Sequence, residues 1–359
     1  MAGPEVVSRN NLGSSLPVKN VQLLASKNLK DIPARYIRPE FESEEILDDG
    51  SIQIPVIDMS KLVIGQLGYD DELQELHLAC KDWGFFQLVN HGGTEIIEKM
   101  KVVTEQFFNL PLEEKKEWAQ PPDDIEGYGQ VFVFSEDQKL DWADMFFLYL
   151  LPVSLRKMRL WPEKPPSFRS TLDEYSKEMH KISMSLFGSI ERNLGVEPGN
   201  LSRLFDKDCK QGIRLNYYPP CSHANKVIGL TPHSDADGLT LLVEVNDVQG
   251  LQMKKNDKWL PIKPAPGAII VNIGDMLEIM SNGEYSSIEH RAVVNHEIER
   301  ISVATFHMPD LATTLCPLPE LVNDNQPKFM NMSIEEFLRL NLRNTLDGKR
   351  LLNEMKIIY

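Results

Sequence analysis

Of the eight histidines in the chain, one stands in a pattern suited to holding a metal: His233-Ser234-Asp235 is its sole His-x-Asp. Residues two apart on a strand share a face, so His233 and Asp235 are expected to project together with Ser234 turned away. His290, in the strand-like run SSIEHRAVV, is the natural third donor. Two imidazoles and a carboxylate on one side of an octahedral ion leave three open positions, which suits non-haem Fe(II) and oxygen chemistry. Alone the motif says little, because a surface turn whose Asp caps the next segment gives the same string. Its weight comes from the residues around it.

Ten residues past His290 begins RISVATFHM. Period-two alternation puts Arg300, Ser302, Ala304, Phe306 and Met308 on one face, and Ile301, Val303 and Thr305 on the other. An arginine turned into a β-structure needs a permanent anionic partner, since a lone buried charge is too costly. A bidentate carboxylate, with the Ser302 hydroxyl donating beside it, would satisfy it. The competing reading is a solvated Arg-Ser face with Ile and Val inward. The run GIRLNYYPPC sets Arg214, Asn216 and Tyr218 on one face and ends rigidly at Pro219-Pro220. Asn216 and Tyr218 could donate to the same diacid.

These residues need elements to position them. After about Asp206, short β-rich runs bounded by Gly, Pro, Asn and Asp recur roughly every ten residues: GIRLNYY, KVIGLTPHSD, GLTLLVEV, GLQMKK, KWLPIK, GAIIVNI, SSIEHRAVV and RISVATFH. Regular short strands with turn chemistry predict an antiparallel sandwich or barrel. Ahead of them the chain is helix-rich. SIQIPVIDMSKL reads as a strand alternating around Ile52, Ile54, Val56 and Met59. A helix closed by Gly84 follows, then the strand FFQLVN, a helix stopped by Pro111, and an amphipathic helix over residues 167–194. SIEEFLRLNLRNTLDGK predicts a final helix. The expected organisation is a loose leader over residues 1–17, a helix-rich region over 18–205, a β core over 206–312 and a helical tail over 313–359: an α+β chain with a mainly β core embraced by helices.

The chain has 359 residues, 42% hydrophobic and 25% charged, with a formal net charge of −15. That composition is globular. Its acidity repels phosphate backbones and anionic lipid, so neither nucleic acid nor membrane is an expected partner. The longest apolar run, residues 145–153, falls far short of the ~20 residues that span a bilayer. The first residues show no signal-peptide or acylation pattern. Cys80, Cys209, Cys221 and Cys316 form no CxxC pair, which argues against a disulfide framework and for a reducing, cytoplasmic setting. Nothing demands more than a monomer.

Together, NYYPPC, His-Ser-Asp, the distal His290 and Arg-Ile-Ser resemble the plant iron(II)/2-oxoglutarate-dependent dioxygenases. The resemblance extends to IPVIDMSKL, ACKDWGFFQLVNHG, FFNLPLEEK, EGYGQ and SEDQKLDWADMFF, covering residues 16–349. Within that family the chain is most similar to the senescence-related-gene branch, with the codeine and thebaine O-demethylases and norcoclaurine-synthase-like proteins. The resemblance implies a double-stranded β-helix, or jelly roll. It implies that His233, Asp235 and His290 hold iron, and that Arg300 and Ser302, helped by Tyr218 and Asn216, hold 2-oxoglutarate. Dioxygen is then a cosubstrate and ascorbate the expected reductant. The implied reaction hydroxylates or O-/N-demethylates a small aromatic metabolite, releasing succinate and carbon dioxide.

In related flavonoid oxygenases, the positions of Phe306, Met308, Arg214, Ala236, Met145 and Phe147 line the substrate pocket. Some flavonoid synthases carry a carboxylate where this chain has Met308. A thioether cannot accept a polyphenol's hydrogen bond as a carboxylate can, so an alkaloid-like or methylated ring is expected over a flavonoid. Three alternatives remain: a flavonoid or other phenolic oxidase on the same scaffold, a non-oxidative condensing enzyme of the norcoclaurine-synthase-like kind, and a ligand-binding jelly roll whose metal is structural. The last has no use for Arg300 and Ser302. His91 is expected to be structural, Lys115 and Lys116 to lie on a solvated face, and Cys221 to be a small buried hydrophobe.

Overall fold

The computed structural model describes residues 15–27, 31–41, 44–47, 52–122, 124–322, 326–343 and 345–358. The expected leader lies outside the described residues up to residue 14. Twelve strands build two sheets: β1 (Val56–Asp58), β2 (Phe85–Val89), β3 (Gly127–Gly129), β4 (Asp144–Leu151), β5 (Lys210–Tyr218), β6 (Leu230–His233), β7 (Leu239–Glu244), β8 (Leu251–Lys255), β9 (Lys258–Pro261), β10 (Ile269–Ile273), β11 (His290–Ala292) and β12 (Arg300–Met308). The larger sheet runs β1-β2-β10-β7-β12-β5-β4-β3 and the smaller β6-β11-β8-β9. From β5 onward the chain crosses repeatedly between them: β5, β7, β10 and β12 belong to the larger sheet, β6, β8, β9 and β11 to the smaller. This alternation is the double-stranded β-helix, the jelly roll that the resemblance implies and a form of the antiparallel barrel expected from the strand runs.

Each of the eight β-rich runs after Asp206 forms a strand. The N-terminal strand is shorter than expected. β1 has three residues and pairs in parallel with β2, its Ile57 opposite Leu88. That register buries Ile57 completely and leaves Val56 exposed, so the alternation expected from Ile52 holds at the buried Ile54 and breaks at Val56. β3 and β4 were not legible as strands. DMFFLYLL has no alternation because nearly all of β4 is buried, between β3 and β5, and continuous burial erases the period-two signal.

Helices cover the larger sheet. Helix Phe168–Leu194 turns Leu172, Tyr175, Met179, Ile182, Leu186 and Ile190 inward, meeting β7, β12 and helix Thr94–Phe108. Lys115 corrects the expectation of a solvated face. It is buried, and its ammonium donates to the Phe108 carbonyl and the Gln22 side chain. Burial pushes it down to about 8, against the opposing pull of Asp144. His91 is structural as expected: its Nδ1 accepts from the Gly93 N–H, and its Nε2 donates to the Gly267 carbonyl. Among the described residues no helix is long and apolar enough to cross a membrane.

Gly84 joins the helical segment to β2 with φ +62°, and a Cβ there would stand 2.1 Å from the Ser286 carbonyl oxygen. The next residue, Phe85, packs its ring edge-on against His290 at 5.4 Å between centroids. Gly84→Ala is expected to lose more than about 2 kcal/mol, since both the left-handed backbone and the clash oppose a side chain. Urea unfolding measures this; a wild-type midpoint would show that the contact relaxes without cost.

Candidate metal and cosubstrate site

Antiparallel pairing of β11 with β6 sets His290 opposite His233. Their rings stand 4.4 Å apart between centroids. The Nδ1 of His233 donates to the Thr231 carbonyl at 2.8 Å, and that of His290 to the Ile288 carbonyl at 3.1 Å. A carbonyl only accepts, so each Nδ1 carries the proton and each Nε2 presents a lone pair inward.

Asp235 reaches the same point by a route that strand alternation does not describe. β6 ends at His233, and Asp235 lies in the loop beyond it. Its carboxylate is oriented by donors: Oδ2 accepts from Thr240 Oγ1 at 2.6 Å and from Asn272 Nδ2 at 2.8 Å. Oδ1 is left facing His233 Nε2 at 3.5 Å and His290 Nε2 at 3.7 Å. Burial pushes this carboxyl up, but the charge that His290 and His233 carry when protonated, with the Thr240 hydrogen bond, pulls it below the usual carboxylate range. Burial likewise pushes His290 down to about 4. The result is an ionised carboxylate and an imidazole that resists protonation, the forms in which both bind metal. Three ligand atoms from these residues lie within 4.8 Å of one another, the one such cluster among the described residues. Ser234 turns away, donating to Asp275 Oδ2 at 3.0 Å.

Arg214, Asn216 and Tyr218 of β5, and Arg300, Ala304, Phe306 and Met308 of β12, face the same cavity as the triad. Its volume, open mouth included, is about 1140 Å³. Arg300 is 1% exposed, with its guanidinium carbon 5.2 Å from the centre of the Tyr218 ring. Asn216 Nδ2 donates to Ser302 Oγ at 3.3 Å. Arg300 does have an anionic partner, and the chain itself supplies it: Nη2 donates to Glu244 Oε1 at 2.5 Å. Arg300 Nε and Arg214 Nε have none. Phe147 and Ala236 line the cavity, and Phe147 lies over Gly212, where a Cβ would stand 3.1 Å from its ring. Met145 does not line it. It pairs with Asn216 two residues from Phe147 and is buried at the sheet's interior. The opposite wall comes from the C-terminal helix Ile334–Arg343 and the segment after it, through Leu338, Asn341, Leu342 and Leu346.

Two family models match the chain: the 2OG-Fe(II) oxygenase superfamily over residues 209–309, and the non-haem dioxygenase in morphine synthesis N-terminal domain over residues 54–164. S-norcoclaurine synthase 1 of Coptis japonica is 52% identical over 96% of this chain and 98% of its own. Codeine O-demethylase of Papaver somniferum is 45% identical over the same shares. The chain belongs to the 2OG-Fe(II) oxygenase superfamily. A crystal structure of JOX2 in complex with 2OG, Fe and JA superposes with a TM-score of 0.87 at 36% identity, covering 96% of this chain and 99% of that one. This oxygenase is thus an oxidoreductase, a 2-oxoglutarate-dependent dioxygenase working with Fe(II). Its residues fit both groups: two bare Nε2 atoms and a free Oδ1 for the metal, and a buried guanidinium with an unpartnered N–H on the cavity wall for the keto-diacid.

Sequence reasoning missed Thr240, Asn272, Glu244 and the C-terminal wall. Asn272 carried a usable signal, a polar residue inside the apolar strand GAIIVNI. Asn272→Leu is expected to weaken Mn(II) or Fe(II) affinity about 10- to 100-fold, the usual cost of losing a partner that orients a ligand. Calorimetric metal titration decides it, and wild-type affinity would show that Thr240 alone orients Asp235.

Proposed function

We propose that this oxygenase hydroxylates or O-/N-demethylates a small aromatic specialised metabolite, alkaloid-like rather than flavonoid, releasing succinate and carbon dioxide. In this reading His233, Asp235 and His290 hold the iron, and Arg300, Ser302, Tyr218 and Asn216 hold 2-oxoglutarate. The observation that carries it is one cavity joining the His-Asp-His cluster to a wall of Phe132, Phe147, Tyr149, Phe306 and Met308. Flat aromatic faces and a thioether suit a fused, methylated ring system. Identities of 45% both to codeine O-demethylase and to an oxoglutarate-dependent flavonoid 7-O-demethylase of Ocimum basilicum support O-demethylation for either ring class.

Iron(II), 2-oxoglutarate and dioxygen together supply the oxidative decarboxylation and the oxidation of a substrate C–H bond. The chain's own residues do the rest. The carbonyls of Thr231 and Ile288 fix both imidazole tautomers. Thr240 and Asn272 hold Asp235 with one oxygen free. Arg300 and Tyr218 anchor the diacid at one end of β12, while Phe306 and Met308 position the organic substrate toward the other. Leu338, Leu342 and Leu346 shield the reacting centre from water. A hydroxylated O-methyl carbon leaves as formaldehyde, so demethylation needs no further catalytic group. Ascorbate is the reductant in this reading, and the protein acts as a cytoplasmic monomer; four cysteines without disulfide bonds, three of them buried, support the reducing compartment.

Incubation with iron, ascorbate, 2-oxoglutarate and a panel of methylated alkaloids and flavonoids tests the reading. Succinate and formaldehyde are expected in step with loss of an alkaloid methyl group. A flavonoid as the preferred substrate would overturn the substrate class, and turnover without oxygen or 2-oxoglutarate would establish a condensing enzyme instead. Asp235→Ala should abolish turnover and weaken iron binding. Arg300→Ala should raise KM for 2-oxoglutarate at least about tenfold, as expected for loss of a charge-assisted bidentate contact, with a much smaller effect on the organic substrate. Equal effects on both would remove the anchor role. Met308→Glu should change substrate preference while leaving uncoupled 2-oxoglutarate decarboxylation intact.

A further inference from the structure

Behind the guanidinium of Arg300 stands a carboxylate that the reaction does not use. Glu244 ends β7 and lies opposite Ser302 in the pairing with β12, so it shares the inward face of Thr240 and Leu242. Its Oε1 takes the Arg300 Nη2 hydrogen bond at 2.5 Å, with side-chain exposures of 1% for the arginine and 14% for the glutamate. Its Oε2 has no partner. Arg300, Tyr218 and Asn216 line the cavity, whereas Glu244 does not; seen from the cavity, the carboxylate is screened by the guanidinium. Gly250 closes the remaining side, since a Cβ there would stand 2.7 Å from Arg300 Cδ.

This arrangement has two physical consequences. A planar guanidinium tied through Nη2 cannot rotate freely, so Arg300 meets the cavity in one orientation. The buried pair is also close to neutral, so an arriving diacid meets an anchor whose positive field is already largely offset. Both cosubstrate and succinate are dicarboxylates, and an unopposed buried arginine would retain the product as well as the reactant.

We propose that Glu244 is a positioning residue for the 2-oxoglutarate anchor: it orients Arg300 and offsets its charge, keeping cosubstrate and succinate exchangeable. The inference rests on the assignment of Arg300 as the anchor. It is tested by calorimetric binding of 2-oxoglutarate and of succinate to the Mn(II)-loaded full chain under anaerobic conditions. Glu244→Gln removes the charge but keeps an acceptor oxygen at the same reach, and it is expected to bind both dicarboxylates threefold or more tighter. Glu244→Asp keeps the charge but shortens the reach, freeing the guanidinium, and it is expected to bind 2-oxoglutarate threefold or more weaker. Mn(II) affinity should be unchanged in both. Opposite responses are the signature of charge and orientation; loss of packing alone would weaken binding in both variants. A Glu244→Gln protein that binds no tighter than wild type overturns the proposal, and if that variant does not fold, a wild-type affinity in Glu244→Asp overturns it. Mn(II)-loaded wild type that takes up no 2-oxoglutarate would instead overturn the cosubstrate assignment itself.

Discussion

The antiparallel register between β6 and β11 governs the rest of the site. Because His233 and His290 face each other across that pair, both imidazoles arrive at one point from rigid backbone. The carbonyls that fix their tautomers belong to residues two positions upstream in each case, Thr231 and Ile288. A slip of one residue would turn one ring to the opposite face of the sheet. What remains is to bring a carboxylate to the same place, and a loop suffices because Thr240 of β7 and Asn272 of β10 fix its orientation. The smaller sheet thus supplies the imidazoles and the larger sheet the hydrogen bonds that aim the acid.

The larger sheet also carries the polar end of the cavity on β5 and β12. Asn216 and Ser302 are opposite each other in that pairing, as are Tyr218 and Arg300. Polar groups set on cross-strand neighbours are held as firmly as the sheet itself. The cavity continues along the same two strands past Arg214 to the apolar Ala304 and Phe306, so distance along β12 separates its polar end from its apolar end.

Much of this was legible in the sequence, for physical reasons that can be named. The strands from β5 to β12 are bounded by turn residues, and the two longest, β5 and β12, alternate in residue type, so their limits and inward faces follow from alternation and punctuation. His233, His290, Arg300 and the Arg214-Asn216-Tyr218 face were readable in this way. β4 was not, because a strand buried on both faces has no alternation. Asp235 was found for an incomplete reason: its side chain converges with His233, but hydrogen bonds from distant strands, not its own strand geometry, bring it there. Lys115 misled because a charged helical run looks solvated until Phe108 and Gln22 are known to lie over it. Glu244 stands on the inward face of GLTLLVEV, and an acid at such a position requires a buried cation. That signal was present, but its partner could be named only from the pairing of β7 with β12.

The tail is joined to the active centre more directly than a wall of leucines suggests. Beyond helix Ile334–Arg343, the Gly348 N–H donates to the Pro232 carbonyl at 3.0 Å, and the Ser234 N–H donates to the Gly348 carbonyl at 3.2 Å. These bonds flank His233 on the outer edge of β6, an edge from which Pro232 itself can donate nothing. The C-terminal segment therefore serves at once as a cavity wall and as an added rung beside the strand that carries His233. An insertion or deletion between Leu346 and Lys349 would therefore disturb the cavity wall and the backbone setting of His233 together, whereas a side-chain exchange at Phe147 or Phe306 would touch neither bond.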